Sequence, residues 1–138
     1  MAWLTVGLAG IAVELAKNLF GRVRPQLGLS SFAFPSGHTC AACVLSGVFL
    51  FLLLDPLLAT TEKKFGVGAD ADARARAFLW FLATSVTACG RVEGNRHWVS
   101  DTMGGAAMGT VILSAAILAV DAAETRQKAA RKGEEPST

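Results

Sequence analysis

The sequence predicts an all-α fold: a polytopic transmembrane bundle of about four helices over residues 1–122, followed by a charged C-terminal tail over 123–138. Three observations carry that expectation. Hydrophobic residues make up 52% of the 138 and charged residues only 17%, far from the balance of an ordinary soluble domain. The apolar residues fall into four runs long enough, or nearly so, to cross a bilayer core. The charges that lie close to those runs gather in three clusters at run ends, where they are costly to hold near hydrocarbon and so point to function.

The first run, Met1 to Phe20, is apolar apart from Glu14 and Lys17. These are three apart and can pair on one helix face. Pro25 and its turn-forming neighbours prevent continuation, giving a loop through Phe34. The second run, Thr39 to Leu54, is uncharged and extends past Asp55-Pro56 to about Thr61. Glu62 to Arg76 reads as a polar loop. Ala77 to Gly90 is a shorter third run closed by Arg91, and Thr102 to Val120 is a fourth. Gly105 and Gly109 in the fourth permit close helix contact, and packing is their expected role. Glu124 to Thr138 is charged, helical at first and frayed at its end.

Cys40, Cys43 and Cys89 lie within apolar runs, where a thiol acts as a small hydrophobe. Their odd number and spacing speak against a disulfide framework or a zinc site. A net charge of +2 and the absence of tyrosine give no dense basic face or stacking platform for nucleic acid. The N-terminus lacks a basic start and a small-residue cleavage pattern, so the runs are expected to be retained as spans. Trp3, Trp80 and Trp98 suit interface anchoring, and Arg22 and Arg96 suit lipid headgroups.

Successive spans alternate in direction, so the end of the first, the start of the second, the end of the third and the start of the fourth share one membrane face. Lys17, Arg24, Ser36, Gly37, His38, Arg91, His97 and Asp101 all fall there. The opposite face carries eight of the thirteen basic residues, which by the positive-inside bias places the C-terminus in the cytoplasm and the clusters on the extracytoplasmic or lumenal side.

Taken singly, each cluster has a plainer reading. Lys17 could pair with Glu14, Arg24-Pro25 is an ordinary basic loop, Pro35-Ser36-Gly37-His38 makes a turn with an N-cap, and His97 with Asp101 makes a structural pair. Brought to one face, they match the needs of phosphoryl transfer, which are positioning and charge stabilisation of three equatorial oxygens. Lys17, Arg24 and Arg91 supply cations. Ser36 adds a hydroxyl, and Gly37 lets the amides of a helix N-terminus approach an anion. Asp101, four residues after His97 on the expected first turn of the fourth span, can orient one imidazole nitrogen and leave the other as a nucleophile or base. His38 is then the natural acid. With no acidic cluster to hold magnesium or calcium, the site is expected to need no metal and no other cofactor.

Lys17 with Arg24-Pro25, then Pro35-Ser36-Gly37-His38, then Arg91, His97 and Asp101 resemble, in order and spacing, the signature of the type 2 phosphatidic acid phosphatase superfamily. That group also includes vanadium haloperoxidases and glucose-6-phosphatase. The resemblance covers residues 17 to 101. It implies that Lys17, Arg24 and Arg91 bind phosphate with Ser36 and Gly37, that His97 becomes a phosphohistidine oriented by Asp101, and that His38 protonates the leaving group. Gly90 stands where the family often has serine. Membrane members usually have six spans, about two of them before the first motif. The expected function is therefore an integral membrane phosphatase acting on a lipid phosphate or pyrophosphate, such as phosphatidic acid or a polyprenyl pyrophosphate. Its partners would be that substrate, membrane lipids and either a second copy or a helper subunit, without nucleic acid. The rivals are a non-catalytic lipid-phosphate-binding or regulatory membrane protein and a vanadate-dependent haloperoxidase.

Overall fold

In a computed structural model that describes residues 2–26, 28–54 and 69–134, every regular element is helical. Helix α1 is Ala2–Phe20, α2 is Gly37–Gly47 with a π-helical continuation Val48–Leu53, α3 is Ala69–Glu93 and α4 is Val99–Glu134. Helix α2 packs against the other three, and the core forms around Ala9 and Val13 of α1, Cys40, Val44 and Val48 of α2 and Leu113 of α4.

Small residues set how closely the helices approach. A Cβ on Gly105 would collide with the Ser36 carbonyl, and one on Gly109 would lie 2.8 Å from Cys43 Cβ. The glycine pair therefore seats α4 on the first turns of α2, as its spacing predicts. Gly47 leaves the notch that Leu113 fills, and Gly104 lies against the Phe34 ring. Cys40, Cys43 and Cys89 are all free, the first two buried.

Much of the remaining surface is apolar. Leu4, Leu8, Ile11, Leu15 and Leu19 of α1 are exposed, as are Val111 and Leu118 of α4. Such long uncovered apolar faces suit a hydrocarbon surround rather than water. Helices α1 and α4 are long and apolar enough to cross a membrane by themselves. The apolar helix over Gly37–Leu53 is shorter, and its expected extension to Thr61 lies outside the described residues, as do residues 62–68 of the polar loop.

Two expectations are corrected. The stretch 69–76 is the start of α3, not loop. Its Asp residues read as loop, but the alternating alanines favour helix, Asp70 and Asp72 lie in the positive first turn, and Arg76 pairs with Asp72 at 2.6 Å. Trp80 is no interface anchor, because its indole N–H donates to the Cys43 carbonyl at 2.8 Å and ties α3 to α2. Helix α4 continues unbroken through residue 122 to Glu134, so the charged tail is helical at first, as expected, and begins as the same helix.

Replacing Gly105 by alanine forces backbone apart where neither chain can yield, and should cost about 2 kcal/mol. Gly90→Ala, with nothing within 4 Å of the new methyl, should be neutral or gain up to about 1 kcal/mol of helix propensity. Thermal unfolding of both variants in detergent checks this. Equal midpoints would show that the α2–α4 contact is not close-packed.

Candidate active site

The loops that join the helices at one end of the bundle fold onto one another. Helix α1 closes with Gly21 at φ 55, its amide bonded to the Lys17 carbonyl at 2.9 Å, a left-handed helix cap that glycine adopts without strain. The reversal lets Ala33 N–H donate to the Arg22 carbonyl at 2.7 Å and turns Arg22 and Arg24 back over the helix ends. At the end of α3, Asn95 takes the same hand with φ 53, a conformation asparagine tolerates. The amides of Arg96 and His97 then reach the Arg91 carbonyl at 3.1 and 3.2 Å. This turn sets His97 beside Arg91.

His97 precedes α4 rather than lying on its first turn, since the helix begins at Val99. The reason is a cap: Asp101, in the first turn, reaches back to the Trp98 amide at 2.8 Å, half of a capping box. The cap draws the carboxylate toward the backbone, so Asp101 Oδ2 stands 3.6 Å from His97 Nδ1, just beyond hydrogen-bond length. The Asp101 carbonyl accepts from the Ser36 amide at 2.8 Å, which fastens the second motif to the third. Asp101 and Ser36 are fully buried and His97 is 2% exposed.

Arg24 binds the other side of the imidazole. Its Nη1 lies 3.0 Å from His97 Nε2 and 3.0 Å from the Arg96 carbonyl, while Nε and Nη2 hold the Ser31 carbonyl and hydroxyl at 2.9 and 3.0 Å. A guanidinium can only donate. Nε2 is therefore the acceptor, which fixes the Nδ1–H tautomer with that proton turned toward Asp101. Burial, followed by the charges of Arg24 and Arg91, lowers the His97 pKa below its ordinary value, against the opposing pull of Asp101 and the Ala33 backbone. Burial, then Arg91 and Arg96, also lowers the Arg24 pKa, with Asp101 opposing.

The remaining candidates differ in how available they are. Arg91 keeps a buried Nε without a hydrogen-bond partner, an unspent donor beside the imidazole. His38 is exposed at the start of α2, and the charges that bear on it come from Arg91, Arg24 and Lys17. Lys17 is bound to Glu14 at 2.6 Å, as its spacing predicts, yet a Cβ on Gly37 would come within 3.8 Å of its Nζ, so it also flanks the second motif. The Ser36 hydroxyl is turned inward. It caps α2 by accepting from the Thr39 amide at 3.5 Å and the Thr39 hydroxyl at 3.1 Å, so it serves the helix start first. A groove of about 500 Å³ opens between α1 and α2, with Lys17, Gly37 and His38 among its lining and Val6, Ala9, Val13 and Leu45 along its apolar part. Among the described residues, no three His, Cys, Asp or Glu side chains converge as metal ligands.

Sequence reasoning missed Arg22. Expected among lipid headgroups, it instead donates from Nη1 to Asp101 Oδ1 at 3.0 Å and to the Ser100 hydroxyl at 2.6 Å. It lies over Trp98, 5.9 Å from the ring centroid, whose indole N–H donates to the Val23 carbonyl at 3.2 Å. Trp98 is thus a support for this cluster as well as an exposed aromatic.

A family profile described as the PAP2 superfamily matches residues 2–124. The chain is 30% identical over 109 residues to a lipid A 1-phosphatase of Porphyromonas gingivalis, a match covering 79% of this chain and 21% of that protein. It also resembles the crystal structure of a transmembrane PAP2 type phosphatidylglycerolphosphate phosphatase from Bacillus subtilis, with TM-score 0.68 and 25% identity over 87% of this chain and 57% of that one. The chain thus spans about a fifth of the first relative and just over half of the second.

Because the His97 pKa is lowered, its neutral form should persist to lower pH than that of a free imidazole. Titration of labelled imidazole by NMR should give a His97 midpoint below about 6.5. A midpoint at or above that value would contradict the cation-flanked, buried setting.

Proposed function

The chain belongs to the PAP2 superfamily, and on that premise we propose that it is an integral, multi-pass membrane phosphatase that cleaves a lipid phosphomonoester or pyrophosphate through a phosphohistidine. The observation that carries this reading is the Arg24–His97 contact of 3.0 Å. It leaves the Nε2 lone pair facing a cation whose natural partner is a phosphate oxygen.

In this reading an arriving phosphate draws Arg24 Nη1 from the imidazole, takes the free Nε of Arg91 and lies beside Lys17, so three positive charges meet the charge spread over its oxygens. His97 Nε2 attacks phosphorus and forms the P–N bond as the P–O bond to the lipid breaks. His38 gives a proton to the departing lipid oxygen. Asp101 stabilises the Nδ1–H of the ring as positive charge develops on it. A water, giving its proton to His38, then attacks phosphorus as the P–N bond breaks and its electron pair returns to His97 Nε2, and inorganic phosphate leaves. The fixed cations stabilise the charge on the phosphoryl oxygens, the role a metal ion would otherwise fill.

Support for a lipid substrate comes from the apolar groove that starts at Lys17 and His38, and from the names of the relatives, each a phosphatase of a lipid. The site would face the extracytoplasmic or lumenal side and the basic end of α4 the cytoplasm, with residues 1–122 in the bilayer. The outer apolar faces of α1 and α4 are where lipid chains, a second copy or a helper subunit would pack. A second reading is lipid-phosphate binding without turnover: with Lys17 held by Glu14 and Ser36 buried, fewer groups stand free than the transfer reaction would use.

Phosphate release from short-chain phosphatidic acid and from a polyprenyl pyrophosphate, in detergent with EDTA, separates the two. Hydrolysis should survive EDTA and fall by at least about 10²–10⁴-fold in His97→Ala. Arg91→Gln should lower kcat/KM by about 10²–10³-fold. A folded wild type that binds these lipids yet releases nothing would establish the binding protein instead.

A further inference from the structure

Among the described cations around His97, Arg22 has no part in the chemistry above, yet it is the one bonded to the fully buried Asp101. Its Nη1 holds Oδ1 at 3.0 Å and is steadied by the Ser100 hydroxyl at 2.6 Å, while the other oxygen takes the Trp98 amide at 2.8 Å and faces His97 Nδ1 at 3.6 Å. We propose that Arg22 is a positioning residue for the transfer step: it fixes the Asp101 carboxylate and shares its charge, so that the carboxylate orients His97 without converting it to an imidazolium before phosphate binds.

The inference rests on the phosphohistidine reading of the same site. A desolvated carboxylate beside an imidazole, with no other cation on it, draws a proton onto the ring. Both ring nitrogens would then be donors, and Nε2 could not attack. Arg22 divides the carboxylate's charge between two partners. The 3.6 Å gap then leaves room for the Nδ1–H contact to shorten once the P–N bond places positive charge on the ring. Every other element around the imidazole contributes a titratable or charged group: Arg24 on the loop after α1, Arg91 on α3 and Asp101 on α4, with Lys17 of α1 and His38 of α2 at the same end. All of these except Asp101 and His38 are cations that disfavour imidazolium, and Arg22 weakens the one strong opposing charge.

The chain has two histidines, so isotope-labelled imidazole in detergent gives two ring titrations, assigned with His38→Gln. In Arg22→Gln the His97 midpoint should rise by about half to one pH unit. The acid limb of kcat/KM should move upward with it, and KM should hold. Arg22→Lys, which restores the charge, should return most of the shift. Where Arg22→Gln does not fold, Ser100→Ala, which removes only the hydroxyl steadying the guanidinium, should give a smaller shift of the same sign. A His97 midpoint that stays or falls overturns the proposal. So does an unmoved acid limb with a raised KM, which would make Arg22 a phosphate ligand. The titration needs no turnover, so an inactive wild type would refute the phosphatase reading while the midpoints still decide whether Arg22 sets the charge on His97.

Discussion

The site depends on a backbone contact: the Ser36 amide on the Asp101 carbonyl, 2.8 Å apart. It joins the start of α2 to the start of α4, and it forms only because Gly105 presents no side chain to the Ser36 carbonyl. With α4 docked there, Asp101 is buried and must be compensated on every side, since an uncompensated interior carboxylate is costly. Arg22, the Trp98 amide and the His97 ring answer that requirement from three directions. The loop after α1 and the loop after α3 are thereby ordered by the same carboxylate.

A second constraint is electrostatic. Arg24 and Arg91 share one helix-bundle end with Arg22, which Asp101 already answers, and like charges in reduced dielectric are unfavourable until an anion arrives. Burial and neighbouring cations lower the Arg24 pKa, and Arg91 Nε remains without a hydrogen-bond partner. On the proposed reading, a multiply charged, oxygen-rich ligand would relieve that repulsion. Lys17 departs from this pattern because Glu14 neutralises it; a bound phosphate would compete with a carboxylate only three residues away on the same helix.

That the three motif clusters gather at one end of the bundle was legible in the sequence, because the alternating direction of the apolar runs and the position of the clusters at their ends require it. The pairing of Lys17 with Glu14 and the packing glycines of α4 were legible too, being fixed by helical spacing. The partner of Arg22 was not, for it depends on the left-handed turn at Gly21 that reverses the chain after α1. Nor was the exact place of His97. The four-residue interval to Asp101 fits one helical face, but the carboxylate's reach back to Trp98 moves the helix start beyond the histidine. Residues 69–76 misled for another reason: charge density suggested a loop where alanine content and an Asp72–Arg76 pair make a helix.

The 36 unbroken residues of α4 make a rod about 54 Å long at 1.5 Å per residue, against a hydrocarbon thickness of about 30 Å. Asp101 is fixed near one tip of this rod and Arg131 and Lys132 near the other. A lever of that length magnifies small rotations: a tilt of a few degrees about the Gly105 contact displaces the far tip by several ångströms while hardly moving Asp101. The basic tip is therefore a remote pointer to how α4 is seated against α2.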